Sequence, residues 1–402
     1  MSWVLVVLGF TFLIVLHEAG HFVAAKACGM RVERFFLFFP PKLISKRIGE
    51  TEYGIGMIPA GGFVKITGMN PDDVKPHDDD SDSEPRHQRD LLTAIEGADS
   101  GPETPRSAEG PEPLAPEELH RAYYNQPVWK RIVVIGAGPA VNIVLCFLIL
   151  FVLAFGANDV NGTVGTIDKG SPAAASALEP GDKVVAVDGK HFSNLGLDDR
   201  LTRFGETVAS HKCHGKQTEG CRAKTPAKLT VSRDGQVKTL TIYPRYDPAV
   251  ARTRVGFSYG STPANLDAAG AAGRSASFMW LVTHKTVSVI GRIFEPEQRK
   301  QVSGIVGAGD VANKTIGLGA REALVLLAVV SLSLGVINLF PFLPLDGGHI
   351  FWSLVEKVRG SPVPFSVMER AGALGFVLVI MLFVIGLTND IGRLTGDGFN
   401  VR

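Results

Sequence analysis

The 402-residue sequence predicts a polytopic α-helical membrane protein with four spans, a membrane-associated β-hairpin and an extracytoplasmic domain of mixed α/β structure. Three observations predict this fold class. Hydrophobic residues form 45% of the chain and concentrate in a few long runs, a short alternating segment follows the first run, and strand patterns separated by glycines lie between the second and third runs. The length suffices for a membrane core and one modest soluble domain.

Four apolar runs are long enough, or nearly so, to cross a bilayer as helices. They cover about residues 3–25, 132–156, 323–344 and 371–388. The first run is a poor secretory signal, because it lacks a basic leading region and carries a polar motif where a cleavage site would fall. We therefore expect four retained spans.

Basic residues flank these runs unevenly, and segments rich in Lys and Arg tend to face the cytoplasm. They are Lys26, Arg31, Arg34, Lys42, Lys46 and Arg47 after the first run, Lys130 and Arg131 before the second, and Lys357 and Arg359 between the third and fourth. The pattern predicts a multi-pass protein of the inner (plasma) membrane, with both termini and about residues 158–321 outside.

A metal-binding motif, His17-Glu18-Ala19-Gly20-His21, lies inside the first run. Histidines four residues apart share one helix face, so both imidazoles can reach one Zn²⁺ while Glu18 serves as the catalytic base. Ionisable side chains in a spanning helix are costly and usually functional. The alternative is a chance occurrence of the pattern on a helix, which the membrane setting disfavours.

A catalytic zinc site usually takes three protein ligands, and Asp346 is the best candidate for the third. It is the only acid of the run that closes with Asn338–His349, and a carboxylate there needs a cation. Two alternatives stay open. Asp346 could mark a helix end at the interface, with Gly347-Gly348 forming a turn, or His349 could be the ligand, although we expect it to face the loop.

Residues 31–70 contain an alternating segment, Glu50–Ile66, that predicts a β-hairpin turning through Ala60-Gly61-Gly62. The neighbouring segment Phe35–Phe39 is too apolar for a free cytoplasmic loop. We therefore expect the hairpin to dip into the membrane beside the active site, with Gly61 and Gly62 as candidate substrate contacts. A small hairpin packed at the cytoplasmic interface is the alternative.

Residues 71–120 are rich in Asp, Glu, Pro, Ser and Gly and poor in aliphatic side chains. Such a segment cannot bury a core, so we expect a disordered acidic linker. A regulatory docking segment is the alternative, without positive evidence.

Two amides near the predicted spans are candidate substrate contacts. Asn142 closes the element Gly138-Pro139-Ala140-Val141-Asn142 at the start of the second span, and helix packing against small residues is its alternative role. Asn338 precedes Asp346, and capping of a broken helix is its alternative role.

The region 158–247 carries the strand patterns of a soluble domain, including a hairpin that turns at Asp234-Gly235. After it, the apolar segments Phe278–Val282 and Val287–Phe294 predict a membrane-surface helix. A fifth span is disfavoured because His284, Lys285 and Arg292 interrupt these segments.

The four cysteines divide by compartment. Cys28 and Cys146 belong to the membrane part and are expected to be free thiols. Cys213 and Cys221 fall in the external domain, where an oxidising compartment favours a disulfide. The alternative is a structural zinc site with His211 or His214, which no CxxC pair supports.

Taken together, the HEAGH motif, the stretch Asn338–Gly348 with its Leu345-Asp346-Gly347, and the Gly138–Asn142 element resemble the site-2 protease family of bacterial intramembrane zinc metalloproteases. The order of strands in 158–247 is similar to one bacterial PDZ domain. The resemblance covers most of the chain except roughly residues 71–120. One departure is that Pro344 follows Pro341 by three residues where the family often has two, which affects the local loop shape.

The resemblance implies a zinc metalloendopeptidase that cuts a single-pass membrane protein substrate, such as a membrane-bound anti-sigma factor, in regulated intramembrane proteolysis. His17, His21 and Asp346 would hold zinc, and Glu18 would be catalytic. The hairpin is expected to receive substrate as an added strand, since proteolysis needs an extended segment. The PDZ domain would either bind peptide termini or keep bulky ectodomains away from the site.

The predicted domains follow from these segments. They are 1–30, the first span with the zinc motif; 31–70, the hairpin region; 71–120, the linker; 121–157, the second span; 158–247, the PDZ domain; 248–321, the interfacial helix region; 322–348, the third span with Leu-Asp-Gly; and 349–402, a cytoplasmic loop, the fourth span and a tail.

Two other function classes stay open. One is a catalytically inactive membrane PDZ adaptor, against which the complete ligand set with Glu18 argues. The other is a metal-dependent transporter, but the chain has too few spans and no paired broken helices. The net charge of +1 gives no reason to expect a nucleic-acid partner.

Overall fold

The computed structural model describes residues 2–69, 119–192, 195–215, 217–248, 252–292, 295 and 304–395. Residues 71–118 of the expected acidic linker lie outside the described residues, so that assignment stays a prediction. The chain divides into two compact units. Unit 1 comprises residues 1–150 and 275–390, and unit 2 comprises residues 151–274 and 391–402.

Eight longer helices are described. They are α1 (Ser2–Ala27), α2 (Val128–Ala154), α3 (Leu197–Ala209), α4 (Ala268–Gly291), α5 (Ile305–Leu318), α6 (Ala320–Asn338), α7 (Asp346–Arg359) and α8 (Phe365–Thr395). Within the described part of the chain, four of them are long and apolar enough to cross a membrane, with candidate spans Trp3–Ala27, Val128–Ala154, Ala320–Asn338 and Ser366–Gly392. Their number agrees with the four predicted spans, and α4 is not among them.

Many large apolar side chains on these four helices are not covered by any other part of the described chain. Trp3, Val152, Phe376 and Val377 are each more than half exposed. Soluble proteins rarely leave contiguous apolar surface of this kind uncovered, whereas helices in a bilayer turn it toward lipid.

The third span is shorter than predicted. Helix α6 ends at Asn338, residues 339–345 form turns and bends, and α7 begins at Asp346. Pro341 and Pro344 lack a backbone N–H and restrict the residues before them, so the helix cannot continue. The predicted unit 322–348 is therefore two elements, and Asp346 opens a new helix instead of closing the third span.

The hairpin after α1 also differs from the prediction. Strands β1 (Val32–Ile48) and β2 (Thr51–Ile66) meet at a tight turn, with Ile48 paired to Thr51. The predicted turn at residues 60–62 is wrong. Both strands bend, so that the segment 34–37 of β1 pairs with 62–65 of β2 on one side and with 52–55 of β2 on the other. Both strands are long and rich in aromatic and β-branched residues, which favour strand structure, so the two-stranded sheet is larger than the short hairpin that was predicted.

A buried cluster attaches the two ends of the hairpin to α1 and α2. It comprises Ala25, Met30, Val32, Ile66, Tyr123, Val134 and Ile135. Each fully buried large side chain of this kind contributes about 1.5–3 kcal/mol. At the turn of the hairpin, Glu50 pairs with Lys26 of α1 and with Arg121.

Unit 2 is built on a six-stranded sheet with the order β10-β3-β4-β6-β7 and with β5 paired to β4. Its strands are β3 (Asn158–Ile167), β4 (Lys183–Val187), β5 (Lys190–His191), β6 (Ala227–Arg233), β7 (Gln236–Ile242) and β10 (Phe257–Pro263). A separate pair joins β8 (Arg245–Asp247) and β9 (Arg252–Arg254). The core combines Val164, Leu178, Val187, Leu229 and Val231 of the sheet region with Phe204 and Val208 of α3.

The sheet extends past the predicted domain boundary at residue 247. Strand β10 pairs with β3 along its length and supplies a neighbour to a strand that would otherwise be an edge. The predicted helix region 248–321 therefore holds a strand of the sheet as well as α4 and α5. The assignment of this domain as PDZ stays a prediction.

The cysteine loop lies in the same unit. Cys213 and Cys221 are joined in a disulfide with a Cα–Cα distance of 6.1 Å, while Cys28 and Cys146 are free. His211 contacts Asp188 and Thr225 instead of the sulfurs.

Candidate metal centre

Three side chains from opposite ends of the chain converge in unit 1. His17 Nε2 lies 3.1 Å from Asp346 Oδ2 and 3.2 Å from His21 Nε2, and His21 Nε2 lies 3.4 Å from Asp346 Oδ2. In the described part of the chain, this is the one group of three or more His, Cys, Asp or Glu side chains whose ligand atoms all lie within 4.8 Å of one another. Both imidazoles are buried, each 6% exposed.

Local geometry explains the convergence. Residues 17 and 21 are one turn apart on α1, so their side chains project from the same face. Asp346 is the first residue of α7, and the turns after α6 bring the start of that helix to the imidazoles. Gly347 and Gly348 are buried where a Cβ would collide with the backbone of residues 339–343, so only glycine permits this tight approach.

The three donor atoms fit one zinc ion. Zn²⁺ binds imidazole nitrogen and carboxylate oxygen at about 2.0–2.2 Å, so two ligand atoms of a tetrahedral site lie roughly 3.3 Å apart. The measured separations of 3.1, 3.2 and 3.4 Å match that value on all three edges. Three protein ligands leave a fourth position for water or substrate, as in catalytic sites.

Helix α2 orients His21 from behind. The Nδ1 of His21 lies 2.9 Å from the carbonyl oxygen of Val134, which accepts a hydrogen bond from Nδ1–H and leaves Nε2 free for a metal. One turn later on α2, Gly138 lies directly against the imidazole of His21, and a Cβ at Gly138 would overlap that ring. No sequence signal identifies a backbone acceptor, so sequence analysis missed Val134.

Asn142 lies two turns beyond Val134 on the same face of α2. It is fully buried, and its Nδ2 lies 3.1 Å from Nδ1 of His17. Sequence analysis expected Asn142 to line the substrate cleft. In the structure its amide lies beside the imidazole of His17, because an i, i+4, i+8 series on α2 faces α1, and the expected contact with substrate stays a prediction.

Glu18 lies between the two histidines in sequence and next to the hairpin in space. A Cβ added to Gly62 would come within 2.9 Å of Cγ of Glu18 and within 3.4 Å of a methyl group of Ile14. Glu18, Gly62 and the aromatic residues Phe35, Phe36 and Tyr53 line a cavity of about 360 Å³. The candidate base therefore opens onto a largely apolar space walled by the sheet.

The remaining predicted site residues lie as follows. Gly61 has a positive φ of 156° and packs against the ring of Phe39. Asn338 ends α6 half-buried, and no hydrogen bond in the described part of the chain joins it to the metal-site residues. His349 lies one turn after Asp346 on α7, outside the group of converging donors.

One structural pair escaped sequence analysis. In the sequence, Arg131 of α2 was used only to predict membrane orientation. In the structure it is 3% exposed and donates hydrogen bonds of 3.0 and 2.6 Å to the two carboxylate oxygens of Glu356 on α7. It also lies over the rings of Tyr123 and Tyr124. This bidentate pair connects the helix that orients His21 to the helix that carries Asp346.

Comparison with known proteins identifies relatives that match nearly the whole chain. The chain is 29% identical to a Brucella suis protein with the provisional name zinc metalloprotease, over 95% of this chain and 92% of the relative. It is 29% identical to Metalloprotease MmpA of Caulobacter vibrioides, over 94% of this chain and 92% of the relative. It is 26% identical to Regulator of sigma-E protease RseP of Escherichia coli K12, over 95% and 96%.

The model of peptidase family M50 matches residues 5–382, which include the HEAGH motif of α1 and the start of α7. Zinc is accordingly the cofactor, and the four apolar helices make the chain a multi-pass membrane protein. The chain therefore belongs to peptidase family M50, the site-2 type of membrane metalloprotease.

Proposed function

We propose that this metalloprotease hydrolyses a peptide bond inside a membrane-spanning segment of its substrate, with His17, His21 and Asp346 as zinc ligands and Glu18 as the catalytic base. The observation that carries the proposal is the triangle of donor atoms, two of which lie on an apolar helix of spanning length. Because His17 and His21 lie within a candidate span, the zinc that they hold would act on a peptide bond inside the membrane.

Zinc, when bound there, polarises the scissile carbonyl and acidifies a coordinated water. Glu18 takes the proton from the attacking water on its carboxylate and returns it to the nitrogen of the leaving amine. Glu18 lines the apolar cavity beside Gly62, where one carboxylate would reach both the water and the peptide bond.

The hairpin sheet gives the substrate a way to extend. In the described part of the chain, residues 62–65 of β2 pair with β1 on one side alone, so the other side keeps free backbone donors and acceptors. A substrate segment that pairs along this edge is drawn out as a strand, and its carbonyls become accessible beside Glu18. We assign Gly61 and Gly62 to this edge, and Asn338 to contact with the substrate backbone.

The substrate class follows from the relatives. One of them is named a regulator of sigma-E protease, so we propose a single-pass, anti-sigma-factor-like membrane protein as substrate, cleaved in regulated intramembrane proteolysis. The cavity is lined by aromatic and aliphatic side chains with Glu18 as its acid, which suits an apolar transmembrane segment.

We further propose that unit 2 is a PDZ domain on the extracytoplasmic side, together with both termini. The basic residues around the candidate spans support this orientation. A reporter enzyme fused after Pro71 is expected to read cytoplasmic, and one fused near Asp188 external. An external reading at Pro71 would overturn the orientation.

A membrane adaptor with an inactive zinc site is the competing function. The decisive experiment uses purified protein in detergent, a tagged single-pass substrate and the variant Glu18→Gln, whose amide keeps the size of the side chain and removes the base. We expect zinc content to be retained and cleavage to fall by about 10²–10⁴-fold, the range that general-base catalysis supplies. A zinc chelator must stop cleavage by the wild type, and near-normal turnover by the variant would refute the role of Glu18.

A further inference from the structure

We infer that Asn142 is the positioning residue for His17, and that it holds this imidazole for zinc by accepting a hydrogen bond from Nδ1–H through its amide oxygen Oδ1. The inference rests on the proposed function, because it takes His17 as a zinc ligand. It assigns Asn142 no contact with substrate.

The tautomer of His17 follows from the surroundings of its ring nitrogens. Its Nε2 faces Asp346 Oδ2 at 3.1 Å and His21 Nε2 at 3.2 Å, so Nε2 is the atom directed at the metal position. A nitrogen that binds a cation gives up its lone pair and carries no hydrogen, so a neutral imidazole must then carry its hydrogen on Nδ1. That Nδ1–H is buried and needs an acceptor.

The amide group of Asn142 faces Nδ1 of His17. Asn142 Nδ2 lies 3.1 Å from Nδ1, and an amide nitrogen can only donate. The other end of the same amide, Oδ1, is buried and has no hydrogen-bond partner among the described residues. A rotation of the amide by half a turn about its last side-chain bond exchanges the two atoms. Oδ1 then accepts from Nδ1–H, which satisfies both buried groups at once.

Helix α6 contacts the backbone and the Cβ of Asn142. Ser331 Oγ of α6 donates a 2.8 Å hydrogen bond to the backbone carbonyl of Asn142, and Gly335 leaves room for its Cβ. The backbone of Asn142 is thus held against α6, while its amide group can still rotate. His21 needs no such side chain, because the Val134 carbonyl performs the same task. Acceptors behind ligating histidines fix ring orientation and raise metal affinity.

The test measures zinc affinity by competition with a chromophoric chelator, using the full chain in detergent. Asn142→Leu keeps the side-chain volume and removes the acceptor, so we expect affinity to fall about 10–100-fold. Asn142→Asp keeps an acceptor and should bind zinc within a few-fold of the wild type, or more tightly. Ser331→Ala is the packing control, because it removes the interhelical hydrogen bond to the backbone of Asn142 but leaves the amide acceptor in place, and it should lower affinity less than Asn142→Leu does.

Three results would overturn the inference: wild-type affinity in Asn142→Leu, an equal loss in Asn142→Asp, or an equal loss in Ser331→Ala, which would indicate helix packing alone. Nitrogen-15 NMR of labelled histidine in the zinc-loaded wild type supplies a readout that needs no variant to fold. Nδ1 of both ligating histidines must carry hydrogen, and a bare Nδ1 would contradict the assignment. Failure of the wild type to bind zinc would instead refute the metal site itself, and this inference with it.

Discussion

His17 Nε2 and Asp346 Oδ2 lie 3.1 Å apart although 329 positions separate the two residues in the chain. The first belongs to a helix of spanning length and the second opens the helix that follows the third span. Their contact closes the triangle of donors, so the site exists only when the two ends of unit 1 have packed together.

Replacing Asp346 by Ala should lower zinc occupancy as well as activity, because two histidines alone hold zinc poorly. His349→Ala should retain most of the zinc, since His349 lies outside the donor group. Zinc per protein after matched purification distinguishes the two variants. Full occupancy in Asp346→Ala together with loss in His349→Ala would transfer the ligand role to His349.

Gly62→Ala should impair cleavage while zinc content stays near that of the wild type. The new Cβ would press on Glu18 at 2.9 Å and displace the base, and it does not reach the metal ligands. Lys65→Ala is the control on the same edge segment, because the side chain of Lys65 is 45% exposed and its ion pair with Glu33 contributes little. Loss of zinc in Gly62→Ala would show that Gly62 has a structural role in the metal site.

Gly138→Ala should reduce zinc affinity, since a Cβ at that position overlaps the ring of His21. Gly136→Ala is a matched control on the same helix, where the nearest atom to a new Cβ is a methyl group of Ile350 at 3.9 Å. Both substitutions raise helix propensity equally, so any difference in zinc titration reports on the ring of His21. Equal affinities in the two variants would argue against the close packing of α2 on α1.

Glu50 provides a test by pH. Hydrogen bonds from Arg121 and then Lys26 lower the pKa of its carboxyl from 4.5 to about 2. A carboxyl whose pKa is depressed in the folded state stabilises that state fully above its unfolded pKa, and this contribution disappears as pH falls toward the folded pKa. Glu50→Gln should therefore lower the thermal midpoint near neutral pH, and the difference from the wild type should shrink below the unfolded pKa of 4.5.

The measurement is thermal unfolding in detergent at a series of pH values. Glu206→Gln serves as the control, because its ion pair with Arg203 is 3.5 Å long and its side chain is 60% exposed. A difference for Glu50→Gln that stays constant with pH would mean that the pairing at the hairpin turn contributes nothing through charge.

Several features follow from sequence because they are local. Spanning length and apolar content identify the four helices, and the spacing of four residues brings His17 and His21 to one face before any packing is considered. The zinc cofactor was predicted on that spacing and is confirmed by the family. The choice of Asp346 over His349 rested on the chemistry of a carboxylate in an apolar run, and the structure places Asp346 with the histidines.

Other features depend on contacts that no local pattern encodes. The hairpin turn was misplaced because the glycines at 61 and 62 resemble a turn, whereas in the tertiary fold both lie within β2, with Gly62 against α1 and Gly61 against Phe39. The apolar run to residue 344 concealed the break after Asn338, and the break decides where Asp346 points. Periodicity tells which face of a helix is apolar, but the partner of that face is chosen by packing. For that reason the Val134 carbonyl and the amide of Asn142, which orient the two histidines, become identifiable only once α2 lies on α1.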